Sequence, residues 1–289
     1  MRHLISVDDL ELSEFDAIVE TAQRFRDDDL QPRSIPSRVT ATLFGSSSLR
    51  TRAGFETAAH RLGWSVVSVG DYRYDPSMSA AESIEDTIRT LSGMVDSLVV
   101  RAPVDLGTVV ATAQPTCPIL CGGDLQNHPT QALIDIASIR ALRGSERNLR
   151  IALYGDLTMR AAASLLAYFA RQPPAELRLI APRGREAVLT ADLDVTYGGP
   201  DDVDDIDVLY VVGLPLERNG VALDTAARAP YVIAESQLRR LPAEAIILSP
   251  LPVVDELSNE ARSDPRLRIW EQNELSISVR MASLVHTLA

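Results

Sequence analysis

Short apolar runs alternate with helix-period stretches along this chain, and that alternation constrains the fold more than any other feature. The runs fall at 39–44, 65–69, 97–100 and 118–121 in the first half, and at 149–154, 176–180, 208–212 and 246–248 in the second. Helices are expected up to about Arg26, at 51–61, at 84–93, from Pro129 to about 142, and at 277–288; Ala53, Phe55, Ala58 and Ala59 suit the packed face of the second. Strands separated by helices pair in parallel and are covered on both faces. At 289 residues the chain exceeds the usual single-domain size. The expected fold class is therefore α/β, with two doubly wound parallel-sheet domains and an interdomain cleft. The polar segment Arg143-Gly144-Ser145-Glu146-Arg147 reads as a hinge dividing 1–143 from 144–289, with the last helix packing back on the first domain. The acidic run 201–207 reads as a solvated loop, and no period of 20 to 50 residues suggests a repeat protein.

Charge decides what the chain can bind. A net charge of −12 argues against a general nucleic-acid or anionic-membrane binder, so an anionic ligand must be held by a few placed cations. All 28 basic residues are arginine, which excludes any lysine Schiff base or Walker-type phosphate loop. With 46% hydrophobic residues and no apolar run near the roughly 18 a span requires, no membrane segment is expected. Met1-Arg2-His3 leads straight into an acidic amphipathic stretch at 7–25, so a cytoplasmic protein is expected. Cys117 and Cys121 lack a second ligand pair and read as small buried thiols, and the four histidines show no metal-ligand spacing.

The chemistry is concentrated where strands end. Leu43-Phe44 closes a strand, Gly45-Ser46-Ser47-Ser48 turns, and Arg50-Thr51 opens a helix, so backbone N–H groups and the helix dipole converge on one anion site. Ser48 and Thr51 add hydroxyls, and Arg50 adds a fork that matches two phosphate oxygens. Taken alone this is equally a serine-capped helix with solvated arginines. Spacing supplies the support: Arg101 follows the strand at 97–100, and His128-Pro129-Thr130-Gln131 follows the next strand, with Pro129 suited to the first helical position. Three strand ends thus deliver Arg50, Arg101 and His128 to one sheet edge. His128 can donate to a carbonyl oxygen, and Gln131 can accept from an amide.

These residues resemble the aspartate and ornithine carbamoyltransferases, the aspartate branch most closely. Ser48-Leu49-Arg50-Thr51-Arg52 is similar to the family's Ser-Thr-Arg-Thr-Arg signature, and Asn127-His128-Pro129-Thr130-Gln131-Ala132-Leu133 to its second signature. Gly155-Asp156-Leu157 with Arg160 resembles the third, and Pro250-Leu251-Pro252 with Asp255-Glu256 the fourth. The resemblance implies a homotrimer of two-domain subunits, with a carbamoyl phosphate site at the domain cleft near the subunit interface. It implies that Ser48, Arg50, Thr51 and Arg101 hold the phosphate. His128 and Gln131, with Arg50 and the Leu251 carbonyl, would hold the carbamoyl group, and Arg160 the α-carboxylate of an amino-acid acceptor. An amine attacks the carbonyl, an oxyanion develops and phosphate leaves; Arg50, Thr51 and His128 are the catalytic set that stabilises this charge. No metal or organic cofactor is implied.

The chain departs from the pattern mainly on the acceptor side. Leu49 replaces a threonine, and Ala80 stands where a neighbouring subunit's loop lysine is expected, Arg73 lying too far upstream to replace it. Gly213 and Pro215 occupy the segment where aspartate enzymes place an arginine and a glutamine for the side-chain carboxylate. Ser249 replaces a histidine, Val253 an arginine, and the ornithine branch's Ser-Met-Gly loop is not apparent. The first expectation is therefore a carbamoyltransferase acting on an acceptor smaller or less acidic than aspartate. The alternatives are an ordinary aspartate carbamoyltransferase with an acceptor site rebuilt on Arg218 or Arg239, and a catalytically weakened binding or assembly subunit.

Overall fold

The computed structural model describes residues 2–32, 35–70, 82–189, 192–218 and 220–289. Arg73 and Ala80 lie outside the described residues. The chain divides into two compact units, Met1–Ala137 with Glu274–Ala289, and Ser138–Asn273.

The first unit contains α1 (Leu12–Arg26), β1 (Val39–Phe44), α2 (Leu49–Arg61), β2 (Ser65–Gly70), α3 (Ile84–Ser92), β3 (Ser97–Arg101), α4 (Leu106–Ala113), β4 (Ile119–Cys121) and most of α5 (Pro129–Arg143). Its sheet runs β2-β1-β3-β4, and every pair is parallel. Ala41, Leu43, Leu98, Val100, Ile119 and Cys121 form one buried cluster with Leu106, Val109 and Val110 of α4. The amphipathic stretch at the N-terminus is not one helix. Asp9 accepts from the backbone of Ile5 and Ser6 at 2.6 and 2.9 Å, closing a short 3-10 turn at Val7–Asp9 before α1 begins. Within α1, Phe15, Ile18, Val19, Ala22 and Phe25 then follow helical spacing onto the core. α4 was not anticipated from the sequence pattern; its cap Asp105 accepts from Thr108 N–H at 3.2 Å. Cys117 and Cys121 are buried and form no disulfide, and burial pushes the Cys117 thiol up to about 12.

The second unit contains β5 (Arg150–Tyr154), α6 (Arg160–Arg171), β6 (Glu176–Ile180), β7 (Thr196–Tyr197), β8 (Val208–Val211), β9 (Glu217–Arg218), β10 (Val221–Ala222), α7 (Thr225–Arg228), α8 (Glu235–Arg240), β11 (Ile246–Leu248) and α9 (Asn259–Arg262). Its main sheet, β11-β8-β5-β6-β7, is parallel throughout, and β9 and β10 pair separately as an antiparallel ribbon. The last helix, α10 (Ile269–Thr287), starts eight residues before the expected 277, and from Glu274 onward it belongs to the first unit. Both units are thus parallel α/β layers, as the alternation predicts.

Two polar segments behave differently from the sequence expectation. The supposed hinge is anchored: Glu146 is 1% exposed, and Arg140 grips its carboxylate through two nitrogens at 2.9 and 2.8 Å while the Tyr168 hydroxyl donates at 2.6 Å. The acidic run 201–207 is a loop with Asp201, Asp202 and Asp204 exposed, but it is anchored, because Val203 and Ile206 within it are fully buried. Its carboxylates are tied by arginine: Arg178 to Asp205 at 2.8 Å and Arg240 to Asp204 at 2.6 Å, while Asp207 accepts from the Arg150 N–H at 2.8 Å. A chain of exclusively arginine cations uses them here as bidentate crosslinks.

Glu146 carries a pH signature. Burial acts to raise its pKa, but the hydrogen bonds from Arg140 and Tyr168 outweigh it and hold the carboxyl below its ordinary value. A group with a depressed folded-state pKa contributes stability above its unfolded value of about 4, and loses it as pH falls through the folded value. Glu146→Gln should therefore lower the melting temperature at pH 7 while flattening its decline between about pH 5 and 3. Parallel declines in the two proteins would show that Glu146 is not the titrating group.

Candidate functional site

Because the first sheet is parallel and β3 pairs with both β1 and β4, the C-terminal ends of these three strands are adjacent. After β1 the chain turns, and Ser48 takes the cap position of α2 with extended backbone, φ −161°, and no side-chain cap hydrogen bond. The expected helix start at Thr51 lies two residues too late, since α2 opens at Leu49. The N–H groups of this first turn therefore form an anion-facing end, with the serine hydroxyl beside it.

The two arginines of the motif have different duties. Arg52 donates to Glu56 at 3.1 Å and also contacts Ser68, and Glu56 accepts from Thr42 at 2.8 Å and Ser68 at 2.7 Å. That cluster pins α2 to β1 and β2. Among the described residues Arg50 has no carboxylate within ion-pair distance, and partial burial lowers its guanidinium from the ordinary value. Its guanidinium is therefore open to an anion. Leu49 is 80% exposed, so the apolar replacement for threonine fills no gap in the core.

Gly122, just past β4, is the meeting point of the other groups. A Cβ there would lie 3.4 Å from Thr51 Cγ2 and 3.4 Å from the Val100 carbonyl, which puts Thr51 of α2 and the end of β3 on either side of this residue. Arg101, the last residue of β3, donates from Nη1 to the Gly122 carbonyl at 2.9 Å. Thr51, itself buried, and Arg101 are thereby brought to the same backbone position.

His128 and Gln131 are also buried. Asp124 shapes the loop before them, accepting from the Gln126 N–H at 2.8 Å and the Asn127 side chain at 3.2 Å. Gln131 donates its Nε2 to Asp135 at 2.8 Å, which orients the amide and keeps its carbonyl oxygen as the accepting end. Thr130 Oγ1 lies 3.4 Å from His128 Nδ1. A hydroxyl donated to Nδ1 corresponds to the tautomer with its proton on Nε2. Asp124 and Asp135 were missed by sequence reasoning, although Asp135 stands one helical turn after Gln131.

In the second unit, Gly155-Asp156 closes β5 and Arg160 opens α6. Asp156 is fully buried; Thr158 N–H donates to it at 3.1 Å, and Arg185 Nη1 and Arg218 Nε lie 3.4 and 3.9 Å from its other oxygen. Arg185 was not foreseen, yet it follows β6 as Asp156 follows β5, so the strand-end argument could have found it. Leu251 has φ 54° and a cis peptide bond to Pro252. Its N–H donates to Ser249 Oγ at 3.4 Å, the hydroxyl standing where a histidine was expected. The described residues contain no group of three or more His, Cys, Asp or Glu placed to hold a metal, and no helix long and apolar enough to cross a membrane.

A parallel α/β unit with a helix N-terminus, arginines and a His-Pro turn beyond adjoining strand ends belongs to the class of folds whose strand ends present donors suited to an anion. The chain belongs to the aspartate/ornithine carbamoyltransferase family. The family model described as aspartate/ornithine carbamoyltransferase, carbamoyl-P binding domain, matches residues 2–141. The chain is 32% identical over 295 residues to the aspartate carbamoyltransferase catalytic subunit of Methanococcus maripaludis, covering 98% of this chain and 97% of that protein. It is also 32% identical over 299 residues to that of Methanospirillum hungatei, with full coverage of both. Among solved structures, aspartate transcarbamoylase from Trypanosoma cruzi in complex with carbamoyl aspartate and phosphate superposes with a TM-score of 0.88 at 31% identity, covering 100% of this chain and 96% of that one. The catalytic subunit of M. jannaschii aspartate transcarbamoylase gives 0.85 at 30% identity, covering 99% and 97%.

Proposed function

We propose that this protein transfers the carbamoyl group of carbamoyl phosphate to the amino group of an amino acid, with aspartate the first acceptor to test, and releases phosphate. The observation that carries this reading is the convergence at Gly122, where Thr51 and Arg101 meet beyond the strand ends that also carry Arg50 and His128. Ser48, Arg50, Thr51 and Arg101 bind the phosphate; His128 donates to the carbamoyl oxygen and Gln131 accepts from its amide. Leu251 and Arg160 keep the carbamoyl and α-carboxylate roles that the resemblance implies. The amine lone pair forms a C–N bond, the C–O bond to phosphorus breaks, and the amine proton leaves with phosphate or solvent. Arg50, Thr51 and His128 stabilise the oxyanion between these events. Residues 1–143 act as the carbamoyl phosphate-binding domain and 144–289 as the acceptor domain, with the last helix returning to the first. The family resemblance implies a homotrimer in the cytoplasm, and neither nucleic acid nor a membrane is expected as a partner.

Aspartate is favoured by the relatives, whose names specify it, and by Arg218. Of the two arginines available to rebuild the acceptor side, Arg239 is exposed on α8 and paired with Glu235 at 2.6 Å. Arg218 lies beside Asp156 at the end of β5, with its Nη2 3.5 Å from the Thr158 carbonyl. A second reading, an acceptor without a side-chain carboxylate, is favoured by Gly213 and Pro215 and by Arg228, which is spent on the Leu214 carbonyl at 2.8 Å and on Asp255. Transfer of labelled carbamoyl from carbamoyl phosphate, first to millimolar aspartate and then across other amino acids, separates the two. Turnover of aspartate, with Arg218→Ala raising its KM about ten-fold or more and leaving phosphate affinity unchanged, supports the first. Turnover of other amines alone supports the second, and no transfer to any amine overturns the enzymatic reading in favour of a binding subunit.

A further inference from the structure

Arg280, on α10, is 4% exposed and lies against α2 within the first unit. A Cβ at Gly54 would meet its Nη1 at 2.5 Å, Cζ at 2.7 Å and Nε at 3.0 Å, so any larger residue there would displace the guanidinium from this position. The Phe55 ring centroid is 5.6 Å from Cζ, a cation–π contact at the next residue of α2. Nη1 donates to Ser276 Oγ at 2.6 Å and to the Ser276 carbonyl at 3.3 Å, while Nε is buried without a hydrogen-bond partner. Among the described residues no carboxylate lies within ion-pair distance of it. The chain's other well-buried arginines contrast with it, since Arg185 faces Asp156 and Arg228 faces Asp255.

A buried cation without a counter-ion is costly, and a second cation nearby makes it more so. Burial first, and then the Arg50 charge, lower Arg280 to about 10, which still leaves it protonated at neutral pH. The positive end of the α2 dipole adds to the same region. Two guanidiniums and a helix N-terminus therefore build positive potential around the first turns of α2, while the nearby α2 carboxylate, Glu56, is engaged by Arg52 at 3.1 Å.

We propose that Arg280 is a positioning residue for the phosphate site: it braces α2 through Gly54 and Phe55, sets the approach of Arg50, and holds a buried charge that is balanced when a dianion occupies the α2 N-terminus. The inference rests on the reading of that N-terminus as the phosphate site. It assigns Arg280 no contact with the ligand. The arginine is visible in sequence as the lone cation amid Ile277, Val279, Met281 and Ala282, but its neighbour in space is not.

The test compares Arg280→Met, Arg280→Lys and Gly54→Ala with the wild-type protein, reading inorganic phosphate affinity by calorimetry and melting temperature with and without phosphate. Arg280→Met should leave the phosphate-free melting temperature unchanged or raised, weaken phosphate about ten-fold or more, and shrink the phosphate-induced shift accordingly. Arg280→Lys, which keeps the charge, should stay within about three-fold of wild type. Gly54→Ala, which displaces the guanidinium without removing it, should weaken phosphate as the methionine variant does, and it decides the matter should that variant not fold. An Arg280→Met protein that melts several degrees lower yet binds phosphate like wild type overturns the proposal, as does unchanged affinity in Gly54→Ala. Failure of the wild-type protein to bind phosphate would instead remove the site reading on which the inference rests.

Discussion

Arg50→Ala should weaken inorganic phosphate binding about a hundred-fold or more and lower kcat for carbamoyl transfer by about 10²–10³. A guanidinium fork facing phosphate makes charge-assisted hydrogen bonds worth about 1.5–3 kcal/mol each, and two of them correspond to at least two decades in affinity. The catalytic loss adds to this, because charge develops on the carbonyl oxygen and leaving phosphate after substrate is bound. Folding should be spared. Arg50 is exposed and has no carboxylate partner among the described residues, whereas Arg52 is held by Glu56 and Ser68. The matched control is therefore Arg52→Ala, which should lower stability through the α2–β2 contact and leave phosphate affinity within a few-fold of wild type. Calorimetric titration with phosphate and melting curves on both proteins measure the contrast. Equal phosphate affinity in Arg50→Ala and wild type would remove Arg50 from the site.

The largest expected effect on folding is at Gly155. This residue has φ +114° at the end of β5, its N–H donates to the Ile180 carbonyl at 2.9 Å, and a Cβ would meet the Val212 carbonyl oxygen at 2.3 Å. The obstruction is backbone of the adjacent strand end, which cannot rotate away as a side chain can. Backbone strain of about 1–3 kcal/mol adds to overpacking of about 1–3 kcal/mol, a large share of a typical stability of about 5–15 kcal/mol. Gly155→Ala should therefore lose about ten degrees or more in melting temperature, or fail to accumulate as soluble protein. Gly184 isolates the steric part: it has φ +81° but nothing within 4 Å of a built Cβ. Gly184→Ala should cost only about 1–2 kcal/mol, the strain of a left-handed residue alone. Similar losses at the two sites would contradict the clash. The position also explains why the motif after β5 begins with glycine: the chain must slip between two strand ends to deliver Asp156.

The backbone was legible wherever an apolar run had one reading. Residues 39–44, 176–180 and 246–248 form strands with the expected limits, because a short β-rich run flanked by helix-period sequence has few other ways to be buried. The strands that precede Arg50, Arg101 and His128 were legible too, and they lie side by side in the first sheet, where parallel pairing brings like ends together. Polar segments were harder. Residues 143–147 and 201–207 have the composition of loops, yet Glu146 and Asp205 are held by arginines 6 and 27 positions away, and composition carries no record of such partners.

By itself, then, the sequence determined the parallel α/β class, the order of the strands along the chain and the strand ends that the candidate site residues follow, because periodicity and turn chemistry are local properties. Only the tertiary structure decided which arginines remain available to a ligand. Arg52 and Arg228 are spent on Glu56 and Asp255, Arg50 has no such carboxylate among the described residues, and Arg280 is buried against Gly54 from a helix more than two hundred positions away. Those assignments depend on distances between residues remote in sequence, where burial and pairing set the state of each charge.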